Sequence, residues 1–297
     1  MKASDLIPAI RRGNPMHGRM VEAAFDLLEP SERELLSRYV AFCGLHGYDL
    51  ERLASAYNRV VRDTFREEVF FQRHGRYRHS TYEQVASSVY LNPGYMRDYM
   101  HGLAVTGFLW PNHVLIRRFF DSVLANASGG SSYLEVGPGH GLYLASAVRS
   151  RKWRKYCAVD VSPTSLEMTK SILGSGMFGE LGEFALKECD FLEHEPAELY
   201  DALVMGEVLE HVEDPGRFLQ KIFAVTVDSP FIFLTTCINA PAVDHLSNFG
   251  SPENLEAIFK SAGFRVGERL VIPYFGKSVR ESIDEKLSIN VAYTLQK

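Results

Sequence analysis

A strand, an acid and three glycines follow one another in the stretch Tyr133-Leu134-Glu135-Val136-Gly137-Pro138-Gly139-His140-Gly141. The apolar residues before the glycines predict a buried strand, and LYLASAVRS at 142–150 predicts a helix. Glycines at such a turn let the backbone bend tightly and come close to a ligand. Because ligands of open α/β sheets bind beyond the carboxyl ends of the strands, this loop predicts where the functional site lies.

The spacing of the glycines separates two kinds of nucleotide site. A nicotinamide-binding loop usually reads G-x-G-x-x-G and holds a pyrophosphate at the helix N-terminus. In this chain the last two glycines are one residue closer together, and the charge of Glu135 would oppose a pyrophosphate. The loop therefore disfavours an NAD-dependent oxidoreductase and favours a ligand that carries positive charge.

Three further predicted strands end in residues that would meet this loop at one edge of the sheet. Asp160 ends the second strand, where an acid can accept hydrogen bonds from both hydroxyls of a ribose; a helix cap beside Ser162 is the structural alternative. Asp190 ends the third strand and would meet an adenine amino group, although acids at strand ends are common. Gly206 and Glu207 end the fourth strand and would line the other side of the ligand, unless Glu207 simply faces solvent.

In this order the segments resemble the class I S-adenosylmethionine-dependent methyltransferases, in particular their small-molecule and quinone-biosynthesis branch. LEVGPGHG at 134–141 is similar to the first motif of that family, and GEVLEHVEDP at 206–215 to its fourth-strand segment. The resemblance covers about residues 128–297 and implies S-adenosylmethionine as the cofactor. The residues that would contact this cofactor are Glu135, Gly137, Gly139, Gly141, Asp160, Asp190, Gly206 and Glu207.

Hydrophobic patterning divides the chain at the turn formed by residues 128–132. From Pro15 to Ala127 the apolar residues recur at helical spacing. After the turn, strand and helix patterns alternate, which predicts βαβ units and a mainly parallel sheet. The last two strand patterns have no helix pattern between them and predict an antiparallel end. We expect an all-α domain at 1–127 and a Rossmann-like α/β domain at 128–297, with seven strands and an antiparallel last strand.

Two histidines follow predicted strands on the side of the sheet where a methyl acceptor would lie. His211 comes after the fourth strand, and Asp244 and His245 stand together after the fifth. Imidazole is suited to removing a proton from a hydroxyl or amino nucleophile near neutral pH, so all three are catalytic candidates. The alternatives are a histidine that only hydrogen-bonds its own loop and a polar surface loop. One histidine with nearby acids is weak support for a metal, and we predict none.

Candidates for acceptor binding come from the helical half. Arg76 lies in FFQRHGRYRH at 70–79, whose arginines would grip a carboxylate or phosphate through paired hydrogen bonds. Tyr95, Tyr99 and His101 would line a lid over the site. The alternatives are a solvated run of charge and, for the aromatic residues at helical spacing, a place in the core.

Composition limits the class of protein and its partners. The chain of 297 residues is 46% hydrophobic with a net charge of −5, and its excess of acid falls after residue 125. The lack of a strongly basic face excludes nucleic acid as a partner, and no apolar run is long enough to span a membrane. Four scattered cysteines without C-x-x-C predict reduced thiols in the cytoplasm.

These observations predict methyl transfer to a small-molecule acceptor. A place in natural-product metabolism follows only by analogy with family members that carry a helical cap. We expect the helical half to select the acceptor, and its use in a homodimer stays open. The alternative function is a regulator or scaffold that binds the cofactor without catalysis and uses its helical half to bind a protein partner.

Overall fold

The computed structural model describes residues 1–179 and 183–297. Helices alone precede the first strand, which confirms the predicted all-α half. Their bounds are α1 (Ala3–Gly13), α2 (Pro15–Asp26), α3 (Pro30–Leu45), α4 (Leu50–His74), α5 (Tyr82–Val85), α6 (Pro93–Leu109) and α7 (Pro111–Asn126). Helix α5 continues into a π-helical turn, Ala86–Tyr90. The helical pattern read from Pro15 onward missed α1, since Pro8 interrupts it, yet α1 buries Leu6, Ile7 and Ile10.

Strands and helices alternate in the second half, as predicted. The elements are β1 (Gly130–Val136), α8 (Leu142–Ser150), β2 (Trp153–Asp160), α9 (Pro163–Gly174), β3 (Glu183–Glu188), β4 (Tyr200–Gly206), α10 (Pro215–Val225), β5 (Thr226–Ile238), α11 (Pro252–Ser261), β6 (Arg265–Ile272), α12 (Val279–Asp284) and β7 (Ile289–Gln296). The short α12 lies in a connection where the sequence predicted no helix. Its signal is the capping box of Ser278 and Glu281.

The seven strands form one sheet in the order β3-β2-β1-β4-β5-β7-β6. The first five strands pair in parallel, whereas β7 runs antiparallel to both β5 and β6. This confirms the Rossmann-like sheet with its antiparallel end. Strand order reverses at β1, because the chain moves outward to β2 and β3 and then returns to β4 on the other side. A ligand crevice is expected at such a reversal.

Polar residues followed by proline begin several helices, and three of these helices lie beside this crevice. The side chain of the capping residue accepts a hydrogen bond from a backbone N–H of the first turn, and proline occupies a position that needs no N–H donor. The caps of this kind are Asn14, Asn92, Ser162, Asp214 and Ser251. They fix where α6, α9 and α10 leave the loops at the edge of the sheet.

Apolar side chains cover both faces of the sheet. Leu134 of β1 and Leu234 of β5 pack with α10 and α11 on one face. Tyr133 and Phe233, their neighbours along the strands, pack on the other face with α7, α8 and the N-terminal helices. The boundary near residue 128 therefore divides the chain by secondary structure, while the hydrophobic core crosses it. None of the helices in the described part of the chain is long and apolar enough to cross a membrane.

Candidate active site

A cavity of about 1020 Å³ lies at the carboxyl edge of β1, β2 and β4. The glycine loop and the strand ends form its floor, and α4, α6 and residues 81–90 form its roof. Pockets for one drug-sized ligand measure roughly 300–1,000 Å³. The cavity therefore lies at the upper end of this range.

The three glycines of the loop all adopt positive φ, which side chains disfavour. The angles are 65° at Gly137, 53° at Gly139 and 75° at Gly141. A Cβ on Gly137 would lie 2.6 Å from Cγ2 of Val208, so this position also lacks space. Gly137 and Gly139 line the cavity, whereas Gly141 packs behind it against α9.

Buried or half-buried carboxyl groups border the loop. Glu135 is buried and accepts a hydrogen bond of 2.8 Å from the Tyr133 hydroxyl. Burial raises its pKa to about 8, although the bond from Tyr133 opposes this. Burial also raises the pKa of Asp160 to about 6, against hydrogen bonds from the backbone N–H groups of Ser162 and Gly139. Both acids line the cavity, and a cation there would favour their ionised forms.

Binding of a cationic cofactor is expected to release a proton from Glu135. With a pKa of about 8, roughly nine-tenths of this carboxyl is protonated at pH 7, and a bound positive charge lowers that pKa. Calorimetric titration with S-adenosylmethionine, whose sulfonium carries the positive charge, at pH 7 in buffers of different ionisation enthalpy should show release of close to one proton. The Glu135→Gln variant should show none, and equal release by both proteins would contradict this role.

Asp190 and the end of β4 complete the floor. Asp190 is exposed, lines the cavity and accepts a hydrogen bond of 2.9 Å from the backbone N–H of Leu192. Gly206 and Glu207 also line the cavity. Glu207 has a φ of 53°, and the Thr235 hydroxyl donates to its Oε1 at 2.7 Å. Each of these residues lies at the edge where the sequence placed it.

Glu210 is a buried acid that the sequence did not single out. It accepts a hydrogen bond of 2.6 Å from the Thr236 hydroxyl and shares a carboxyl–carboxyl hydrogen bond with Glu207. Burial raises the pKa of both carboxyls, and the charge of Glu207 raises that of Glu210 further. Both carboxyls therefore favour their neutral forms, and the pair favours sharing a proton. The only signal of Glu210 in the sequence is its three-residue spacing from Glu207.

His211 and Asp244 meet beneath the roof helices, as the catalytic hypothesis requires. Nδ1 of His211 lies 3.1 Å from the backbone oxygen of Asp244 and 3.5 Å from its Oδ2. The Tyr99 hydroxyl donates to Asp244 Oδ1 at 3.2 Å, and the Tyr90 hydroxyl lies 3.2 Å from Nδ1 of His211. Because the backbone oxygen of Asp244 can only accept a hydrogen bond, its contact favours a proton on Nδ1, which leaves Nε2 as the atom that can accept a proton.

His245 lies beside this pair in a different environment. Its Nδ1 donates a hydrogen bond of 2.6 Å to the backbone oxygen of Ala240, and its ring is 4.7 Å from the ring of His211. Burial lowers its pKa to about 3, with a further contribution from His211. His245 is therefore neutral across the physiological range and supports the loop.

The same region contains two sets of side chains that could hold a metal ion. One consists of Glu210, Cys237 and His245, and the other of His211, Asp244 and His245. Within each set one ligand atom per residue lies within 4.8 Å of the others. Such mixed nitrogen, oxygen and sulfur donors suit divalent transition metals. The prediction that the site holds no metal stays a prediction.

Tyr99 lines the cavity, but the other acceptor-binding candidates do not. Tyr95 donates a hydrogen bond of 2.7 Å to Asp63. Arg76 is exposed, and its Nη1 donates to the backbone oxygen of Tyr77. His101 is buried in the helical half, where Nδ1 lies 2.8 Å from the Tyr39 hydroxyl and burial lowers its pKa to about 3. His101 follows Tyr99 by two residues and therefore occupies another side of α6.

Arg117 is the residue in the cavity wall that the sequence analysis missed. It is 9% exposed, and both terminal guanidinium nitrogens lack a hydrogen-bond partner among the described residues. Its ion pair with Glu32 is long at 3.5 Å, and Arg118 holds the same Glu32 oxygen at 2.8 Å. A buried donor without an acceptor is costly, so Arg117 is suited to an anionic group of a ligand. The helical pattern of α7 gives no indication that Arg117 is buried at a cavity.

Comparisons with known proteins agree with this geometry. A family model described as a methyltransferase domain matches residues 112–268. Since this is more than half of the chain, the protein belongs to that methyltransferase family. A curated relative, the ubiquinone biosynthesis O-methyltransferase of Xanthomonas axonopodis pv. citri (strain 306), is 24% identical over 187 residues, which span 56% of this chain and 77% of the relative.

Solved structures with a similar fold include two methyltransferases. The N-methyltransferase NodS from Bradyrhizobium japonicum WM9, in complex with S-adenosyl-L-homocysteine, is 16% identical, with 64% of this chain and 92% of that chain covered and a TM-score of 0.46. A putative sarcosine dimethylglycine methyltransferase from Galdieria sulphuraria is 12% identical, with 62% and 85% covered and a TM-score of 0.48.

The protein is therefore a class I methyltransferase, and its cofactor is S-adenosylmethionine. The cavity fits this cofactor in charge, because buried acids suit its cationic ammonium and sulfonium groups. The guanidinium of Arg117, whose terminal nitrogens make no hydrogen bond among the described residues and whose ion pair with Glu32 is long at 3.5 Å, suits its carboxylate. The sequence-based prediction of family, fold and cofactor is confirmed.

Proposed function

We propose that this methyltransferase acts on a small-molecule acceptor, which the N-terminal helices cover and select. The observation that carries the proposal is one continuous cavity with the glycine loop as its floor and α4 and α6 as its roof. The Xanthomonas relative, named for ubiquinone biosynthesis, supports a small-molecule acceptor. When bound, S-adenosylmethionine supplies an electrophilic methyl group on a positively charged sulfur.

The cofactor would lie along the strand ends. Asp160 would accept hydrogen bonds from the ribose hydroxyls, and Asp190 would accept one from the adenine amino group. Glu135 and Glu207 would face the cationic methionine portion. Because Gly137, Gly139 and Gly206 have no side chain, the cofactor could approach the backbone closely there. Gly141 would serve only to form the turn between the loop and α8.

Replacing Arg117 by methionine is expected to weaken binding of S-adenosylhomocysteine by about tenfold or more, because the carboxylate of the cofactor loses a buried cationic partner. Binding of 5′-methylthioadenosine, which lacks the amino-acid portion, should change by less than about twofold. Calorimetry on both ligands checks this. Equal weakening of both would show that Arg117 acts on the fold and not on the carboxylate.

His211 is proposed as the general base for the acceptor. Nε2 would take the proton of the nucleophile, while Asp244 holds Nδ1–H and stabilises the imidazolium that forms. His245 lies next to the pair, and we assign it a supporting role because burial keeps its pKa at about 3. Tyr99 orients Asp244 through its hydroxyl.

A turnover screen tests the proposal. Purified protein with S-adenosylmethionine is offered small amines, phenols and carboxylic acids, and formation of S-adenosylhomocysteine is measured. Turnover with any of them supports the proposal. Cofactor binding without turnover on any class would favour the alternative, a regulator or scaffold that uses the fold without its chemistry.

The setting of this activity is a further part of the proposal. We propose natural-product metabolism in the cytoplasm, by analogy with family members whose sites are covered by helices.

Dimerisation through the helical half is supported by Met16 and Met20, which are 93% and 49% exposed one turn apart on α2. The division into a helical acceptor-selecting part at 1–127 and a cofactor-binding part at 128–297 is retained as a proposal.

A further inference from the structure

The part of the cavity beneath α4 and α6 differs in chemistry from the part at the strand ends. Val60, Thr64 and Glu68 follow one another at intervals of four residues, so one side of α4 faces the cavity. Tyr99 of α6 and Asp244 line the same region. Because Asp244 contacts the proposed base His211, the acceptor lies here if the proposed function is right.

Helix α4 turns its positive charges away from this region. It contains five arginines, none of which is among the described residues that line the cavity. Arg59 instead lies 3.6 Å from Asp98, and Arg66 lies 3.2 Å from Glu67. In the arginine-rich stretch after α4, Arg78 is also paired with an acid of the protein, since it lies 2.7 Å from Glu67. A grip on an acceptor carboxylate by these arginines therefore has no support in the structure.

The carboxyl that α4 presents to the cavity, Glu68, has a neutral partner. Its Oε1 accepts a hydrogen bond of 2.9 Å from the amide of Gln72, and burial raises its pKa. The arginines in the cavity wall, among the described residues, are Arg117 and Arg217. Arg117 lies on α7 and is assigned to the cofactor carboxylate, and Arg217 is exposed on α10. The region around Glu68 and Asp244 is thus acidic and has no arginine beside it among the described residues, and a bound cation would favour the ionised form of Glu68.

Aromatic rings in the same cavity also favour a cationic ligand. Tyr82 and Tyr90 stack with centroids 5.6 Å apart, and both line the cavity together with Tyr99. The faces of such rings attract cations, and their edges and the neighbouring methionines suit an apolar body.

We infer that the acceptor binds as a cation, a protonated amine carried on an apolar or aromatic body. Glu68 and Asp244 supply the opposite charge, and the tyrosine rings contact the body. A carboxylate or phosphate in the same place would face buried negative charge without a partner. His211 then takes one proton from the ammonium. The nitrogen lone pair freed in this way bonds to the methyl carbon as the bond from that carbon to sulfur breaks and leaves its electron pair on sulfur.

Three probes of similar shape and different charge test the inference: 2-phenylethylamine, 2-phenylethanol and phenylacetate. Their dissociation constants are measured by NMR titration at pH 7 on the protein saturated with S-adenosylhomocysteine. The amine should bind about tenfold more tightly than the alcohol, and the carboxylate about tenfold more weakly than the alcohol. Equal binding of amine and alcohol, or tightest binding of phenylacetate, overturns the inference.

Two variants locate the effect. In Glu68→Gln the preference for the amine over the alcohol should fall below about threefold, while the affinity for the alcohol stays unchanged. Glu51→Gln removes an exposed carboxyl from the same helix and should leave the preference intact. An unchanged preference in Glu68→Gln also overturns the inference. Failure of S-adenosylhomocysteine to bind in the first step would instead refute the proposed function itself.

Discussion

The Gly139→Arg variant should lose cofactor binding, with a rise of about a hundredfold or more in the Kd for S-adenosylhomocysteine. Gly139 has a φ of 53°, so any side chain there is strained. A Cβ would already lie 3.1 Å from Sδ of Met100, and the longer chain would enter the cavity. Its positive charge would also occupy the place of a cationic ligand.

Gly174→Arg is the matched control. Gly174 lies at the end of α9, outside the cavity, and a Cβ there meets nothing within 4 Å. Calorimetry with S-adenosylhomocysteine should give the wild-type Kd for this variant. If Gly139→Arg also bound with the wild-type Kd, the glycine loop would not be the cofactor site.

The His211→Gln variant should turn over more slowly by about 10²–10⁴-fold, the usual contribution of a general base. Its Kd for S-adenosylhomocysteine should stay within about twofold of the wild type, because the role proposed for His211 is on the acceptor and not on the cofactor. Turnover is measured with the acceptor found in the screen. The matched control is His194→Gln, since His194 is buried outside the cavity and its Nε2 hydrogen-bonds Tyr200 at 3.0 Å.

Treatment with a chelator distinguishes two possible roles of His211, that of a general base and that of a metal ligand. If His211 acts as a base, turnover should survive treatment with EDTA. Loss of turnover on EDTA and its return with a divalent cation would show that the clusters around His245 hold a metal. Undiminished turnover in His211→Gln would exclude both roles.

The floor of the site was predictable from sequence because parallel strands end at a common edge. Asp160, Asp190 and Glu207 could be placed there from their positions after strand patterns alone, since neighbouring strand ends meet regardless of the details of packing. His211 and Asp244 follow the same logic. The order of these acids along the chain identified them as site residues, and the same order carried the resemblance to the family.

The roof was not predictable in this way. Which side of α6 faces the cavity depends on how α4 and α6 pack, so Tyr99 lines the cavity while His101 enters the helical core. Arg117 is hidden for a related reason. An arginine in an amphipathic helix normally faces solvent, and only the packing of α7 against β6 and β7, with Glu32 of α3 beside it, buries Arg117.

The hydrophobic core that crosses the chain boundary limits how this enzyme can change its acceptor. Leu6 of α1 and Phe233 of β5 belong to one apolar cluster, and Phe120 of α7 contacts both Phe233 and Tyr143. Removing the helices would uncover one face of the sheet, so the part that we propose to select the acceptor also keeps the cofactor-binding part folded. A change of acceptor would then require substitution of side chains on the cavity wall, such as Glu68. Exchange of the whole helical half would expose the apolar face of the sheet to water.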